Sequence, residues 1–289
     1  MAAAVSTPID VGRPPVPYGR RIELPRRGKT FVREVAGPPG APTLLLVRGW
    51  CASGGLNWYQ VFEPLSDSFN VVAPDLRGHA RGLRSNSVFR LAEVADDCAA
   101  TLVELGTGPV IAVGYSMGGP VAQLLWRRHR DLVSGLVLCA TSAGFMPDRW
   151  QRRSSQLAML AAVVAARTGA RTGALRALPL VPVPTTNTGS LPLWAAAEFR
   201  RHDWRAIVEA GHSICTYHAG RWIGEVDVPT SVVCTTLDRG VPPELQLAAA
   251  TAIPGATVYN IDEGHLASAS PRFADPLLRA CLDVARRAR

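Results

Sequence analysis

The chain has 289 residues, of which 47% are hydrophobic and 19% are charged. This balance excludes a disordered or fibrous chain, and the length suits a single α/β domain with an insertion. The formal net charge of +8 comes almost wholly from arginine, because Lys29 is the only lysine. An arginine excess of this kind is typical of GC-rich coding, and no basic stripe with stacking or base-reading residues is visible. We therefore expect no nucleic-acid partner.

Residues 1–24 are rich in proline and predict an extended N-terminal arm. They have neither the early basic region nor the apolar stretch of a secretory signal. The longest strongly apolar segment, Leu157 to Ala166, is shorter than the roughly 20 residues of a membrane span, so we expect no integral membrane segment. The six cysteines include no C-x-x-C pair, which favours a reduced, cytoplasmic protein without bound metal.

Short apolar runs alternate with helical patterns along most of the chain. The runs are apolar at successive positions, as in strands buried on both faces of a parallel sheet. Apolar residues at helical spacing predict amphipathic helices over Leu91 to Leu105 and around Leu277 to Ala285. The predicted strands are Thr43–Val47, Asn70–Ala73, Val110–Gly114, Gly135–Cys139, Ser231–Thr235 and Ala256–Ile261. The pattern predicts an α/β fold with a mostly parallel sheet flanked by helices.

The alternation breaks over residues 146–222, which predicts a helical cap inserted into a core of residues 25–145 and 223–289. The cap contains a proline-rich connector, Leu178 to Pro184. Its first helical run has an apolar face formed by Leu157, Leu160, Ala161, Val164 and Ala165. This face either lines a substrate cavity or packs against the core. A lining role favours an apolar substrate and excludes water from the reacting centre.

The most specific motif is the segment Gly114-Tyr115-Ser116-Met117-Gly118-Gly119. It follows a predicted strand and precedes a predicted helix. A G-x-S-x-G motif at such a turn holds its serine in a strained backbone conformation and presents the Oγ atom above the sheet. Flanking glycines are needed because a Cβ there would contact the neighbouring strand and helix. Ser116 is therefore the predicted nucleophile.

From about Thr30 onward the chain resembles the α/β-hydrolase superfamily. Four segments, in the same chain order as in that family, carry the resemblance. Besides the serine motif, they are Arg48-Gly49-Trp50, Pro74 to Gly82, and the pair of loops with Asp238 and Gly264-His265. These are similar to the family's His-Gly-Trp oxyanion loop, its D-x-R-G-H-G-x-S turn, and its acid and histidine loops. The resemblance implies an α/β-hydrolase fold with an inserted cap. A serine nucleophile separates the chain from the haloalkane dehalogenase and epoxide hydrolase branches, which use aspartate.

The resemblance also implies a catalytic triad in the chain order that this fold uses. Ser116 is expected to attack, His265 to act as base and then acid, and Asp238 to orient and stabilise the imidazole. Asp148 is a rival for the acid, because it lies beyond the preceding strand. Asp262 is too close in sequence to the histidine.

The oxyanion hole is expected to consist of the backbone N–H groups of Trp50 and Met117. Arg48 stands where the family usually has histidine, and it either replaces the structural hydrogen bonds of that histidine or pairs with a substrate carboxylate. Milder departures from the family pattern are Ala80, where glycine is frequent, and Thr235, where a glycine often precedes the acid.

These residues predict a serine hydrolase that cleaves a carboxylic ester of a small or medium apolar substrate, without a cofactor. Alternatives on the same triad are hydrolysis of a C–C bond, perhydrolysis and acyl transfer. A ligand receptor of the same fold that does not turn its ligand over is a further alternative from a different class.

Overall fold

The computed structural model describes residues 16–146, 149–172 and 191–288, and within the second range it describes the side chains of residues 153–168. The strands are β1 (Gly19–Leu24), β2 (Gly28–Val35), β3 (Thr43–Val47), β4 (Asn70–Pro74), β5 (Val110–Tyr115), β6 (Val133–Cys139), β7 (Thr230–Thr235) and β8 (Thr257–Ile261). The helices are α1 (Gly54–Trp58), α2 (Phe62–Ser66), α3 (Leu91–Leu105), α4 (Gly118–Arg128), α5 (Arg149–Thr172), α6 (Leu191–Phe199), α7 (Trp204–Thr216), α8 (Pro243–Ala252) and α9 (Ala274–Arg287).

All eight strands belong to one sheet, in the order β1-β2-β4-β3-β5-β6-β7-β8. Strands β3 to β8 pair in parallel, whereas β2 pairs antiparallel with both β1 and β4. The predicted α/β fold with a mostly parallel sheet is thereby confirmed. The six predicted strands are present within two residues of their predicted ends, and α3 has the predicted bounds.

The predicted end of the N-terminal arm is wrong. Residues Gly19–Leu24 form β1, which pairs with β2 along its whole length. Only Ile22 and Leu24 of this strand are buried, and the residues between and before them are polar. An edge strand with so few apolar positions lacks the continuous apolar run that marks the central strands.

Helices cover both faces of the sheet and bury an apolar core on each side. Helices α3 and α4 contribute to one core, with Leu102 and Leu125 among its buried members. Helices α2 and α9 contribute to the other core, with Leu65 and Cys281 among its members. The central strands are therefore enclosed from both sides, and their carboxyl ends remain available to the loops that follow them.

Helices α5, α6 and α7 follow β6 in the chain and are joined to the core by buried carboxylates. Arg81 donates to both carboxylate oxygens of Glu198 on α6, at 2.8 and 2.6 Å. The backbone N–H of Phe89 donates to Glu209 on α7 at 2.7 Å, and Arg167 on α5 donates to the same carboxylate at 2.7 Å. Both glutamates are 1% exposed. Because an unpaired buried carboxylate is strongly destabilising, these contacts hold the three helices to the loop before α3.

The apolar face predicted on α5 neither lines a cavity nor packs against the core, so both interpretations are wrong. Leu157, Leu160 and Val164 are 68%, 49% and 58% exposed. The opposite side of the helix is directed inward, where Met159 lines a cavity and Ala166 is buried. Helical spacing shows which residues share a face, but it does not show which face the core covers. The connector from Leu178 to Pro184 lies outside the described residues.

Candidate active site

Ser116 occupies a sharp turn between β5 and α4. Its φ of +52° is in the left-handed region, which non-glycine residues rarely adopt. A Cβ at Gly114 would lie 2.4 Å from the carbonyl oxygen of Gly118, and a Cβ at Gly118 would lie 2.0 Å from the carbonyl oxygen of Val47. Thr141 donates a hydrogen bond to the Ser116 carbonyl at 2.7 Å. Crowding on both sides therefore requires the two glycines and fixes the turn.

The structure brings the three residues predicted for the triad together. The Oγ of Ser116 lies 2.9 Å from Nε2 of His265, which is in the loop after β8. Nδ1 of His265 lies 2.8 Å from Oδ2 of Asp238, which is in the loop after β7. When Nδ1 holds the proton and donates it to the carboxylate, Nε2 is free to accept the serine proton. This geometry allows proton transfer from the hydroxyl to the imidazole.

The carboxylate of Asp238 is held in place by several donors. Its Oδ1 accepts from the backbone N–H groups of Gly240 and Val241, at 2.8 and 2.9 Å. Its Oδ2 accepts from the hydroxyl of Thr235 at 2.8 Å, in addition to facing His265. Burial alone raises the pKa of Asp238, but the hydrogen bonds from His265 and Val241 outweigh burial and hold the pKa below its usual value. The carboxylate is therefore ionised at neutral pH.

Three residues that support the site were not predicted in this role. Gln246 on α8 donates to the Thr235 hydroxyl at 2.8 Å and so orients that hydroxyl toward the carboxylate. Tyr115 donates to the backbone carbonyl of His265 at 2.8 Å. Thr235 itself was visible in the sequence only as a departure from the family's glycine. Neither Gln246 nor Tyr115 has a sequence signal, because each contact depends on tertiary proximity.

The loop after β3 lies beside the nucleophile. A Cβ at Gly49 would lie 3.4 Å from the Cβ of Ser116. The N–H of Gly49 donates to the side-chain oxygen of Asn57 at 2.9 Å, and the indole of Trp50 donates to the carbonyl of Ile207 on α7 at 2.9 Å. This loop, which contains one of the predicted oxyanion donors, is therefore fixed both to the core and to α7.

Arg48 does not face a substrate. Its side chain is 0% exposed and is absent from the cavity wall, so a pairing with a substrate carboxylate is wrong. Burial lowers the pKa of Arg48 to about 10, and the nearby Asp75 carboxylate partly opposes that effect. Nη1 donates to the carbonyl of Gly49. The guanidinium therefore contacts the loop after β3 from its buried side.

The turn after β4 supports the same loop. Asp75 accepts from the backbone N–H groups of Gly54 and Arg81, at 2.7 and 3.1 Å. Ala80, which stands where glycine is frequent in the family, has a φ of +43°. His79 is buried beside this turn, with Nδ1 at 2.8 Å from the carbonyl of Arg77. It lies away from the cavity wall. The rival acid, residue 148, lies outside the described residues.

A cavity of about 750 Å³ opens onto Ser116 and His265. Its large apolar wall residues include Trp50, Leu56, Phe145, Met146, Met159, Ile214 and Leu266. Among the described wall residues there is no aspartate, glutamate, lysine or arginine. The cavity therefore favours an uncharged, apolar group next to the serine.

The described ranges of the chain lack two further features. No helix there is long and apolar enough to cross a membrane. No group of three or more His, Cys, Asp or Glu side chains there has an arrangement suited to a metal ion.

Comparison with known proteins places these features in a family. A family model for the alpha/beta hydrolase fold matches residues 42–269. The structure of a thermophilic esterase from Thermogutta terrifontis is similar over 93% of this chain and 99% of that one, with 26% identity and a TM-score of 0.70. A hydrolase from Pseudomonas aeruginosa shares the fold over 92% of this chain and 98% of its own, with 18% identity and a TM-score of 0.73.

A sequence relative is the pimeloyl-[acyl-carrier protein] methyl ester esterase of Vibrio vulnificus, with 35% identity over 111 residues. The match covers 38% of this chain and 41% of the relative, so the chain spans about two fifths of the length of the curated relatives that it matches first. The family model, in contrast, covers most of the chain and includes Ser116, Asp238 and His265. The chain therefore belongs to the α/β-hydrolase family.

Proposed function

We propose that the protein is a serine hydrolase that cleaves a carboxylic ester of a small or medium apolar substrate through an acyl-enzyme. The observation that supports it most is the continuous hydrogen-bonded series Ser116, His265 and Asp238 beside an apolar cavity of about 750 Å³. Two of the similar proteins are named as esterases, which agrees with this assignment.

In the proposed reaction, His265 Nε2 takes the proton of Ser116 as Oγ attacks the acyl carbon. The resulting imidazolium is stabilised by the Asp238 carboxylate and then donates its proton to the leaving alkoxide. Water attacks the acyl-enzyme in the second half of the reaction, with His265 again as base and then as acid. This sequence regenerates the free serine and releases the carboxylic acid.

The negative oxygen of the tetrahedral intermediate is expected to bind the backbone N–H groups of Trp50 and Met117. Neither N–H donates a hydrogen bond to another group in the part of the chain that the structure describes. Donors that are fixed before the reaction need no reorganisation when the charge develops, which is why such groups accelerate acyl transfer strongly.

Labelling with a fluorophosphonate tests the activated serine. The wild-type protein is expected to form one phosphonyl–Oγ bond with loss of fluoride, and peptide mass spectrometry should place the adduct on Ser116. Labelling should abolish hydrolysis of p-nitrophenyl butyrate in the same sample. The His265→Ala variant should label far more slowly, because the base is missing. A folded wild-type protein that does not label would contradict the proposal and favour a receptor.

The apolar wall of the cavity predicts that kcat/KM depends on the length of the acyl chain. Ala195 on α6 lines the cavity. In Ala195→Phe the added ring should occupy part of the cavity. It should lower kcat/KM for p-nitrophenyl octanoate by at least about tenfold relative to the acetate, because the longer acyl chain loses apolar contact surface. Ala196→Phe is the matched control, since residue 196 is on the same helix but not in the wall. An equal octanoate-to-acetate ratio in both variants would contradict an acyl site at this wall.

A further inference from the structure

Arg48 has an arrangement that protein stability does not explain. The guanidinium is fully buried, and within the described part of the chain its Nε and Nη2 atoms have no hydrogen-bond partner. A buried cation with unsatisfied donors destabilises the folded state relative to a well-packed apolar side chain. The arginine is therefore expected to act in another way.

The hydrogen bond that Arg48 does make reaches the proposed oxyanion hole. Nη1 donates to the carbonyl oxygen of Gly49, and this carbonyl belongs to the same peptide group as the N–H of Trp50. In a trans peptide the C=O and N–H bonds point in opposite directions. Gly49 and Trp50 line the cavity, whereas Arg48 is buried away from it. The arginine thus holds the far side of the peptide whose N–H is proposed to bind the oxyanion.

We propose that Arg48 is a positioning residue that orients and polarises the Gly49–Trp50 peptide group for stabilisation of the oxyanion. This inference rests on the proposed ester hydrolysis. A charge-assisted hydrogen bond to the carbonyl is stronger than a neutral one and draws electron density from the amide nitrogen, so the N–H becomes a better donor. Asn57 accepts from the Gly49 N–H at 2.9 Å and fixes the preceding peptide group, so two consecutive peptide groups are held.

The charge on Arg48 is present under the conditions in which an esterase works. Burial lowers the pKa of Arg48, but only to about 10, so the guanidinium stays protonated at neutral pH. Asp75 contributes to this result through its charge. The neighbouring His79 is buried as well, and burial together with the charge of Arg48 holds its pKa well below the usual value. In the buried group formed by Arg48, Asp75 and His79, the positive charge is therefore on the arginine.

Four variants test the proposal, with kcat and KM measured on p-nitrophenyl butyrate and the free energy of unfolding measured in urea. Arg48→Met removes the donor and the charge. We expect kcat to fall about 10- to 100-fold, which is less than the effect of losing a whole oxyanion donor, and KM to stay within about threefold of wild type. Arg48→Lys keeps the donor and charge and should restore most of kcat. Arg48→Gln keeps a neutral donor and should be intermediate. Arg84→Met is the control, because Arg84 also donates to backbone carbonyls but lies away from the cavity wall.

A folded Arg48→Met variant with wild-type kcat, or with its whole loss in KM, would overturn the inference. If Arg48→Met does not fold, the kcat values of Arg48→Lys and Arg48→Gln test the inference instead. Equal kcat values in these two variants would overturn the role of the charge. A wild-type protein that neither labels with fluorophosphonate nor hydrolyses esters would overturn the proposed function as well. An active wild type with an indifferent Arg48→Met variant would overturn only the role of Arg48.

Discussion

Replacement of Ser116 by alanine is expected to lower kcat for ester hydrolysis by about 10⁵-fold or more, with little change in KM. The reason is that Oγ is proposed to form the covalent bond to the acyl group, and the proposed oxyanion donors and the cavity cannot replace that bond. Alanine retains a Cβ at the positive φ of residue 116, so the backbone strain stays and the free energy of unfolding should be nearly unchanged. Steady-state kinetics on p-nitrophenyl butyrate with urea unfolding measure both quantities.

Ser142→Ala is the matched control for this prediction. Ser142 is a buried serine in the loop after β6, and its hydroxyl oxygen lies 3.0 and 3.1 Å from the carbonyl oxygens of Gly144 and Leu245, either of which can accept its proton. It is not in the cavity wall, so its loss should change kcat by less than about threefold. Ser116→Ala with more than about one hundredth of the wild-type kcat would show that another group is the nucleophile.

Replacement of Asp238 by asparagine is expected to lower kcat by about 10⁴-fold. Because Oδ1 accepts from the backbone N–H groups of Gly240 and Val241, the asparagine oxygen should occupy that position. Its NH₂ group then faces Nδ1 of His265 and donates to it. The proton of the imidazole moves to Nε2, which no longer accepts the proton of Ser116. The substitution thus keeps the shape of the loop and reverses the tautomer.

Two control variants make this prediction specific. Asp262→Asn alters an exposed carboxylate after β8 that accepts from Thr236 at 2.7 Å, and it should change kcat by less than about threefold. Asp148→Asn tests the rival acid directly. A large loss of kcat in Asp148→Asn together with a near-normal kcat in Asp238→Asn would assign the acid of the triad to residue 148. Circular dichroism and urea unfolding should show that all three variants fold.

The central sheet was predictable because its strands are continuous apolar runs, as in β5 and β7, and such runs have few alternatives once helical segments separate them. Strand β1 was missed because it is an edge strand with only two buried apolar residues. The orientation of α5 was also missed, since its apolar face is exposed while Met159 lies on the inward side. Local patterns define faces and strands, but tertiary packing decides which of them the core covers.

The three residues proposed for the triad were predictable for a different reason. Ser116 lies in a short motif with a strict backbone requirement, and the two partners follow strand ends that a parallel sheet brings to one edge. The support of Asp238 by Thr235 and Gln246, and of His265 by Tyr115, was not predictable. Those contacts join side chains that are distant in sequence or have no characteristic spacing.

The buried contacts of α6 and α7 have a consequence for chimeric proteins. Glu198 and Glu209 obtain their partners from Arg81 and from the backbone of Phe89, which belong to the core. A graft that moved only α5, α6 and α7 into another scaffold of this family would remove Arg81 from the buried Glu198, at about 3–5 kcal/mol. Glu209 would keep Arg167 but would lose the N–H of Phe89. The unit that can be exchanged intact is therefore larger than the insertion, and it includes the loop between β4 and α3.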